Sequence, residues 1–508
     1  MLWLTMLLCA HAVPVLGNAF YASPGGSASG DGTILHPWDL ATALANNTSP
    51  ASTNHVVQPG DTISLRGGTY YGGFTSYLAG TSNAPIDVKP YSGERVRIEA
   101  TNTNITGLYV WGGWTRYWNF EVWNSSSDRL SSRASGFMIF GPHTKLINVV
   151  VHDTGVAIGC WTQATNSEIY GCLMYNNGWL TPSSARKGHG EGIYMQNNQP
   201  TNYIRDNIMF NNGAWGMQWY AEPAQQTVTT LNGVYIEGNV SFNAGVISTQ
   251  AQENILVGGE VPANNATVIN NYGYYTPGFN SGNLNVGYQF YTNGNAIVQG
   301  NYMSGGAGAH VGTWSNLTFT GNTFVNPWTY FHVDYGLNWT PTNGIYNWHS
   351  NTYCTPYEWL LNENFSTGVV SYATWKRITG FDANSMQTSV QPTTTIYFIR
   401  TNVYEPGRAN IIVYNWANND NVSVDISGAL PVGSRYEVRN AQDYFLPAVA
   451  SGLYSGGTIS LPMTNLTVAT AVGMPPPPYK TGRQFNVFIL QTTTNSLAPP
   501  AGLHVLNN

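Results

Sequence analysis

The sequence holds 508 residues, with 55 glycines, 13% aromatic and only 9% charged residues, and a formal charge of −6. This mildly acidic balance excludes nucleic acid and anionic membrane as partners, since both are gripped by basic patches. So few charges also exclude long helices with ion-paired faces; short strands joined by Gly and Asn turns remain, and the predicted class is all-β.

In chain order, "MLWLTMLLCAHAVPVLGNAF" opens on an apolar run of signal-peptide length, and small residues at Val15 and Gly17, or at Ala10 and Ala12, suit cleavage. No Lys or Arg precedes the run, and it is short for a membrane span. Residues 1–17 are therefore expected to be a signal peptide and the mature protein to be secreted, extracellular or periplasmic. Cys9 would leave with it. Cys160, Cys172 and Cys354 remain, an odd number, and are expected to be buried small hydrophobes without disulfides.

After a front end that includes "VQPGDTISLRGGTYYG" (57–72) and "SNAPIDVKPYSGERVRIEA" (82–100), a repeat takes over. The pattern apolar-x-x-(Asn or Cys)-x-apolar recurs at Cys172, Asn207, Asn239, Asn271, Asn301, Asn322 and Asn351, at spacings of 35, 32, 32, 30, 21 and 29 residues. Each copy reads as strand, Asn turn, strand, glycine turn, strand, which is one coil of a parallel β-helix. The recurrent Asn is expected to stack into a ladder of amides. Asp153 falls at a turn position and is read as a turn former. Beyond Thr394, "TIYFIRTNVYEPGRANIIVYNW" and later segments alternate with period 2, as antiparallel strands do.

The front end, with residues 20–45 before it, resembles the entry segment of the secreted pectate-lyase-like superfamily. That resemblance implies a right-handed parallel β-helix whose open end is capped by a short helix and whose first coil begins at "PGDTI". The expected organisation is a capped solenoid over 18–385 and an antiparallel β-sandwich with a tail over 386–508. The sandwich is expected to cover the last coil, whose edge would otherwise be exposed, the alternative role being to bind sugar. The superfamily holds lyases, hydrolases and non-catalytic adhesins, so the fold does not choose a function.

Aligning the strand after the glycine turn in successive coils predicts a register: Tyr194, Gln218, Leu256, Asn285, His310 and His332 in one outward column, and Gln196, Tyr220, Gly258, Gly287, Gly312 and Asp334 in the next. Aromatics, amides and glycines side by side are the expected floor for a sugar chain, the glycines leaving it room. Glu191, Trp215 and Glu253 share the column just before the strand, and Glu222 and Glu260 share one at its far end. The first carboxylates are two coils apart, ~9.6 Å along the axis, and the second one coil, ~5 Å, near the separations of inverting and retaining glycosidase pairs respectively. Extra residues at 178–188, 245–252 and 276–282 place three loops over the first pair. They bring His189 and Lys187, in "ARKGHGEGIYMQNN", to its rim.

The expected function is hydrolysis of a neutral or weakly charged glycan by Glu191 and Glu253, with Glu222, Glu260, His189 and Lys187 as further catalytic candidates. No Lys or Arg occurs between Asp206 and Trp375, so a uronate polymer would find little to hold it; Arg205 counts among the few bases expected nearby. The alternative is β-elimination by Lys187 and His189, assisted by Ca²⁺, and the third reading is a non-catalytic glycan-binding solenoid. No cofactor is expected for a hydrolase, no metal ligands are assigned, and the protein is expected to act as a monomer on a polysaccharide or oligosaccharide.

Overall fold

The computed structural model describes residues 17–45, 56–100, 106–181, 188–223, 228–248, 252–279, 281–288, 291–325, 331–335, 345–363, 366–476 and 480–493. The signal-peptide segment 1–16 and Lys187 lie outside them. Among the described residues no helix is long and apolar enough to cross a membrane.

Three sheets of twelve strands each run the length of a right-handed parallel β-helix, the hand that parallel crossovers adopt. The chain winds through Thr62–Leu65 in the first (sheet I), Gly68–Tyr71 in the second (sheet II) and Phe74–Ser76 in the third (sheet III), and returns to sheet I at Ile86–Pro90. Ala19–Ala22 pairs ahead of Thr62–Leu65, so the first rung precedes the "PGDTI" strand. The helix Leu40–Ala45 buries Leu40, Ala43 and Leu44 over that end. Inward residues of the three sheets, among them Ile193, Met195, Ile204 and Met209, form one continuous core. Cys160, Cys172 and Cys354 are buried in reduced form.

The corner between sheets I and II is held by the expected amide ladder. Asn271 Nδ2 donates to Ile236 O and to Asn301 Oδ1, both at 3.0 Å, while its own Oδ1 accepts from Asn239 N and Nδ2, also at 3.0 Å. The same pattern links Cys172 N, Asn207, Asn239, Asn271, Asn301, Asn322 and Asn351, and ends on Asp382. Every ladder amide is buried, so each bond satisfies a group that water cannot reach. Asp153, with φ 57, turns the next corner as expected.

The C-terminal sandwich has a five-stranded antiparallel sheet, from Ile396–Thr401 to Phe485–Thr492, and a two-stranded one, Asn421–Asp425 with Thr458–Pro462. It does not cap the last coil. That end is closed by the hairpin Trp359–Glu363/Ser366–Val370 and by the helix Tyr372–Thr379, whose Trp375 is fully buried and donates to Asp382. The sandwich lies on the flank instead, because sheet II presents an outward column of stacked rings. His152, Tyr175, Phe210 and Phe242 follow one another at centroid distances of 4.8, 5.1 and 5.0 Å. Phe485 of the sandwich stacks on Tyr274, the next residue of the column, at 4.5 Å. Such a stripe needs a cover more than the closed end does. Sheet II itself runs to Met386–Thr388, past the boundary expected at 385.

Replacing Asn271 by Ala removes four buried hydrogen bonds and leaves Asn239 N without its acceptor, and is expected to cost about 3 kcal/mol in chemical denaturation. Asn316→Ala, on the exposed face of sheet I, is expected to cost less than about 0.5 kcal/mol.

Candidate functional site

The register of sheet III is the one the sequence predicts. Tyr194 pairs with Gln218, Gln218 with Leu256, Leu256 with Asn285, Asn285 with His310, and His310 with His332. Backbone bonds place the column before it: Gly192 N donates to Trp215 O, and Gly216 N to Glu253 O. Glu191, Trp215 and Glu253 therefore occupy one column on three successive coils, Trp215 on the middle one. Trp215 Nε1 donates to Glu253 Oε2 at 2.7 Å, which fixes the orientation of that carboxyl.

Glu191 sits differently. It is 9% exposed, and its carboxyl accepts from the Gln218 amide, Nε2 to Oε1 at 3.3 Å, and from its own backbone N–H. Burial pushes its pKa up to about 7, with its own backbone hydrogen bond opposing the shift. Local structure enforces this position. Gly190, just before it, has φ +93, and a Cβ there would meet Gly178 Cα at 2.3 Å. Only glycine lets the chain pass this close to the coil below, which seats Glu191 against the stack.

Residues 182–187, 249–251 and 280 of the three loops lie outside the described residues; the described parts pack on one another. Trp179–Leu180 pairs with Gly188–His189, and the Trp179 and His189 rings stack at 5.0 Å. A Cβ on Gly188 would touch Ser248, so the first loop lies on the second. Val246 and Ile247 of the second pack with Tyr275 and Phe279 of the third. The sequence does not announce one member of this cluster: Ala471, from the sandwich, is buried among them. Its segment is anchored by Arg129 Nε to Val472 O at 2.7 Å, by Val472 N to Asp153 Oδ1 at 2.7 Å, and by Asn176 Nδ2 to Ala469 O at 3.0 Å. Arg129 also donates to Gly178 O at 2.7 Å, under the Trp179–His189 hairpin. Behind it, His152 is held between Asp153 (2.7 Å) and Glu121 (3.0 Å). Burial opposes its charge, but these two hydrogen bonds prevail and lift its pKa to about 9. The signal in the sequence was the pair Arg129 and Arg133 close before "VVHDTG", in a chain poor in charge.

The second carboxylate column also forms, since Glu260 N donates to Ala221 O, which aligns Glu260 with Glu222. Tyr194 feels the charge of both Glu191 and Glu222. Burial pushes its phenol up to about 12, with Glu191 and Glu222 adding to the shift and the Gln196 hydrogen bond, at 2.7 Å, opposing it. Tyr220 is raised by burial and by Glu260, and meets Tyr288 edge-on at 5.5 Å.

The expected sugar floor does not form as an open strip. Gln218, Leu256 and Asn285 are buried, and Gln196 is fully enclosed, so the middle of the strip is covered. The glycines leave no room either. A Cβ on Gly258, at φ +125, would meet Tyr288 N at 3.0 Å, and Gly312 packs on the Gly287 backbone; they let neighbouring coils approach. Gln196 Oε1 and Asn285 Oδ1 are buried with no partner among the described residues. His310 and His332 stack at 4.1 Å, but four and five coils from Glu191, ~19 Å and more along the axis. Asp334 lies on the same coil as His332, paired with Asn362 through the backbone. Arg205 is not near the site: it lies on sheet I, bonded to Glu168 at 3.2 Å. Among the described residues no group of three or more His, Cys, Asp or Glu gathers to hold a metal.

Because Glu191 binds its proton more tightly in the fold, the stability this adds is complete below its ordinary value of 4.5 and is lost as pH rises through about 7. Glu191→Gln removes that loss. The variant is expected to unfold like the parent at pH 4 and to be more stable by up to about 3 kcal/mol at pH 8.5, read as thermal transitions at the two pH values.

No protein-family model matches this sequence, and no curated protein matches it. Among solved structures, a rhamnogalacturonan lyase is 18% identical, covering 61% of this chain and 82% of its own, with a TM-score of 0.46. Pectate lyase Pel9A is 17% identical over 66% of this chain and 76% of its own, at 0.41. GH136 lacto-N-biosidase from Eubacterium ramulus is 12% identical over 73% and 68%, at 0.45. The parallel β-helix described above rests on its own three sheets.

Proposed function

We propose that this chain is a carbohydrate-active enzyme that hydrolyses glycosidic bonds at the corner of sheet III. One observation carries the reading: a carboxyl held protonated close to neutral pH, Glu191, stands in one column with a second carboxyl that an indole orients, Glu253. A general acid needs its proton at working pH, and burial of Glu191 favours that. Glu191 gives its proton to the glycosidic oxygen. Glu253, two coils away, takes the proton of a water that attacks the anomeric carbon from the opposite face, so the product is inverted. Trp215, between them, offers a ring face to a sugar. The pair Glu222 and Glu260 carries no such division of roles and is assigned to substrate contact, with Tyr194 and Tyr220.

The substrate is a neutral or weakly charged glycan, in keeping with the absence of Lys and Arg between Asp206 and Trp375, which leaves Arg186 and Lys187 of the first loop as the nearby bases. The apolar leader supports action outside the cytoplasm, where such polymers are met.

A screen on neutral and uronate polysaccharides, reading reducing ends and 235 nm absorbance together, is expected to give reducing ends without absorbance. Glu191→Gln is expected to lower kcat/KM by about 10²–10⁴, and the parent's activity to decline as pH rises through about 7. Absorbance that grows with product and survives Glu191→Gln would instead move the chemistry to elimination.

A further inference from the structure

Arg129 is buried and takes no part in the proposed reaction. Burying a guanidinium is costly unless its donors are met, and here three separate segments meet them. Nε donates to Val472 O of the sandwich at 2.7 Å. Nη1 donates to Asn176 O at 2.9 Å and to Gly178 O at 2.7 Å, and Nη2 donates to Asp153. Val472 is held from both sides, because its N–H donates to the same Asp153 oxygen at 2.7 Å. The Arg129 carbonyl in turn accepts from Leu180 N at 2.7 Å. An apolar side chain of similar volume would fill this space but could not tie three carbonyls together; the fork of the guanidinium does.

The tie leads to Glu191. Gly178 lies against the chain at 189–190: a Cβ on Gly178 would collide with His189 O, and one on Gly190 with Gly178 Cα. Glu191 follows Gly190 directly, and its carbonyl accepts from Ala157 N at 2.9 Å. Whatever fixes Gly178 therefore fixes how the chain enters Glu191. The sandwich segment 469–474 reaches the second and third loops as well, through Ala471, which is buried among Val246, Ile247, Tyr275 and Phe279. The sandwich has other anchors on the solenoid: Phe485 on Tyr274, Phe398 on Tyr272, and Arg400 on Asp206. The contacts of 469–474 are additional to that docking, and they converge on the candidate site.

We infer that Arg129 is a positioning residue for the candidate site, and that the sandwich, through residues 469–474, clamps the turn on which Glu191 is seated. The catalytic meaning of that seat rests on the hydrolase reading; the clamp itself does not.

Two full-length variants loosen the clamp from opposite sides. Arg129→Lys keeps the charge but offers one ammonium in place of the fork. Gly473→Ala, at φ +78, places a Cβ against Ser127 O and lifts the sandwich segment. Val438→Ala, in the sandwich's own core, is the control for lost stability. Each is titrated by infrared difference against the same chain carrying Glu191→Gln. Both clamp variants are expected to lower the Glu191 midpoint by about one unit or more, as water reaches the carboxyl. They are also expected to reduce kcat by about tenfold or more with little change in KM, while Val438→Ala keeps the parent's midpoint. If one clamp variant fails to fold, the other carries the test. A midpoint left unchanged by a folded clamp variant, or lowered equally by Val438→Ala, would overturn the inference, as would a parent midpoint already at the ordinary carboxylate value. If the parent hydrolyses nothing while the clamp variants still lower the midpoint, the hydrolase reading falls and the clamp stands.

Discussion

Everything in this molecule depends on the coil-to-coil register, and the buried amide ladder is the interaction that holds it. A parallel strand slipped by one residue would turn its whole inward set outward. Asn207, Asn239, Asn271, Asn301 and Asn322 each donate from backbone N and Nδ2 to the amide oxygen of the next coil, and Asn351 ends the row by donating to Asp382. Displacing one coil would break several buried bonds at once. With that corner fixed, the other two sheets inherit their alignment, and residues far apart in sequence come to stand ~4.8 Å apart.

The candidate site follows from this. Glu191 and Glu253 lie 62 positions apart in the chain yet share a column because the register puts them there. The loops are extra residues at one corner of consecutive coils, and stacking obliges them to meet. Glu191 is buried, whereas Glu253 is bonded to Trp215. One backbone arrangement thereby gives two carboxyls different surroundings, which is how a single fold separates an acid from a base. The sandwich contributes too: Ala471 enters the loop cluster, and the His152–Asp153–Arg129 chain ties its segment to the coil beneath the Trp179–His189 hairpin. The two domains share in building one wall.

Much of this was legible in the sequence, for a physical reason. A repeat whose period is set by backbone pairing can be aligned by eye, so the Asn ladder and the whole sheet III register, from Tyr194 to His332, follow from the spacing. Features that depend on what covers a surface were not legible. Gln218 and Asn285 read as outward, which they are, yet lie buried beneath neighbouring structure that periodicity does not describe. The glycines at 258, 287 and 312 read as open space, but they serve close backbone approach. The sandwich was expected at the end of the solenoid because ends need caps; the ring stripe on sheet II, visible in hindsight as Tyr175, Phe210, Phe242 and Tyr274, drew it to the flank. Arg205 was assigned to the site because it is near in sequence, although strand alternation between sheets places it elsewhere.

The central claim is that the fold dehydrates Glu191 and keeps its proton near neutral pH. Infrared difference spectra of parent minus Glu191→Gln, recorded across pH, isolate this one carboxyl. The account predicts a protonated carboxyl band that disappears with a midpoint near pH 7, replaced by a carboxylate band. A midpoint at or below the ordinary value of 4.5 would contradict it, and would leave the column of Glu191, Trp215 and Glu253 as an alignment without an acid.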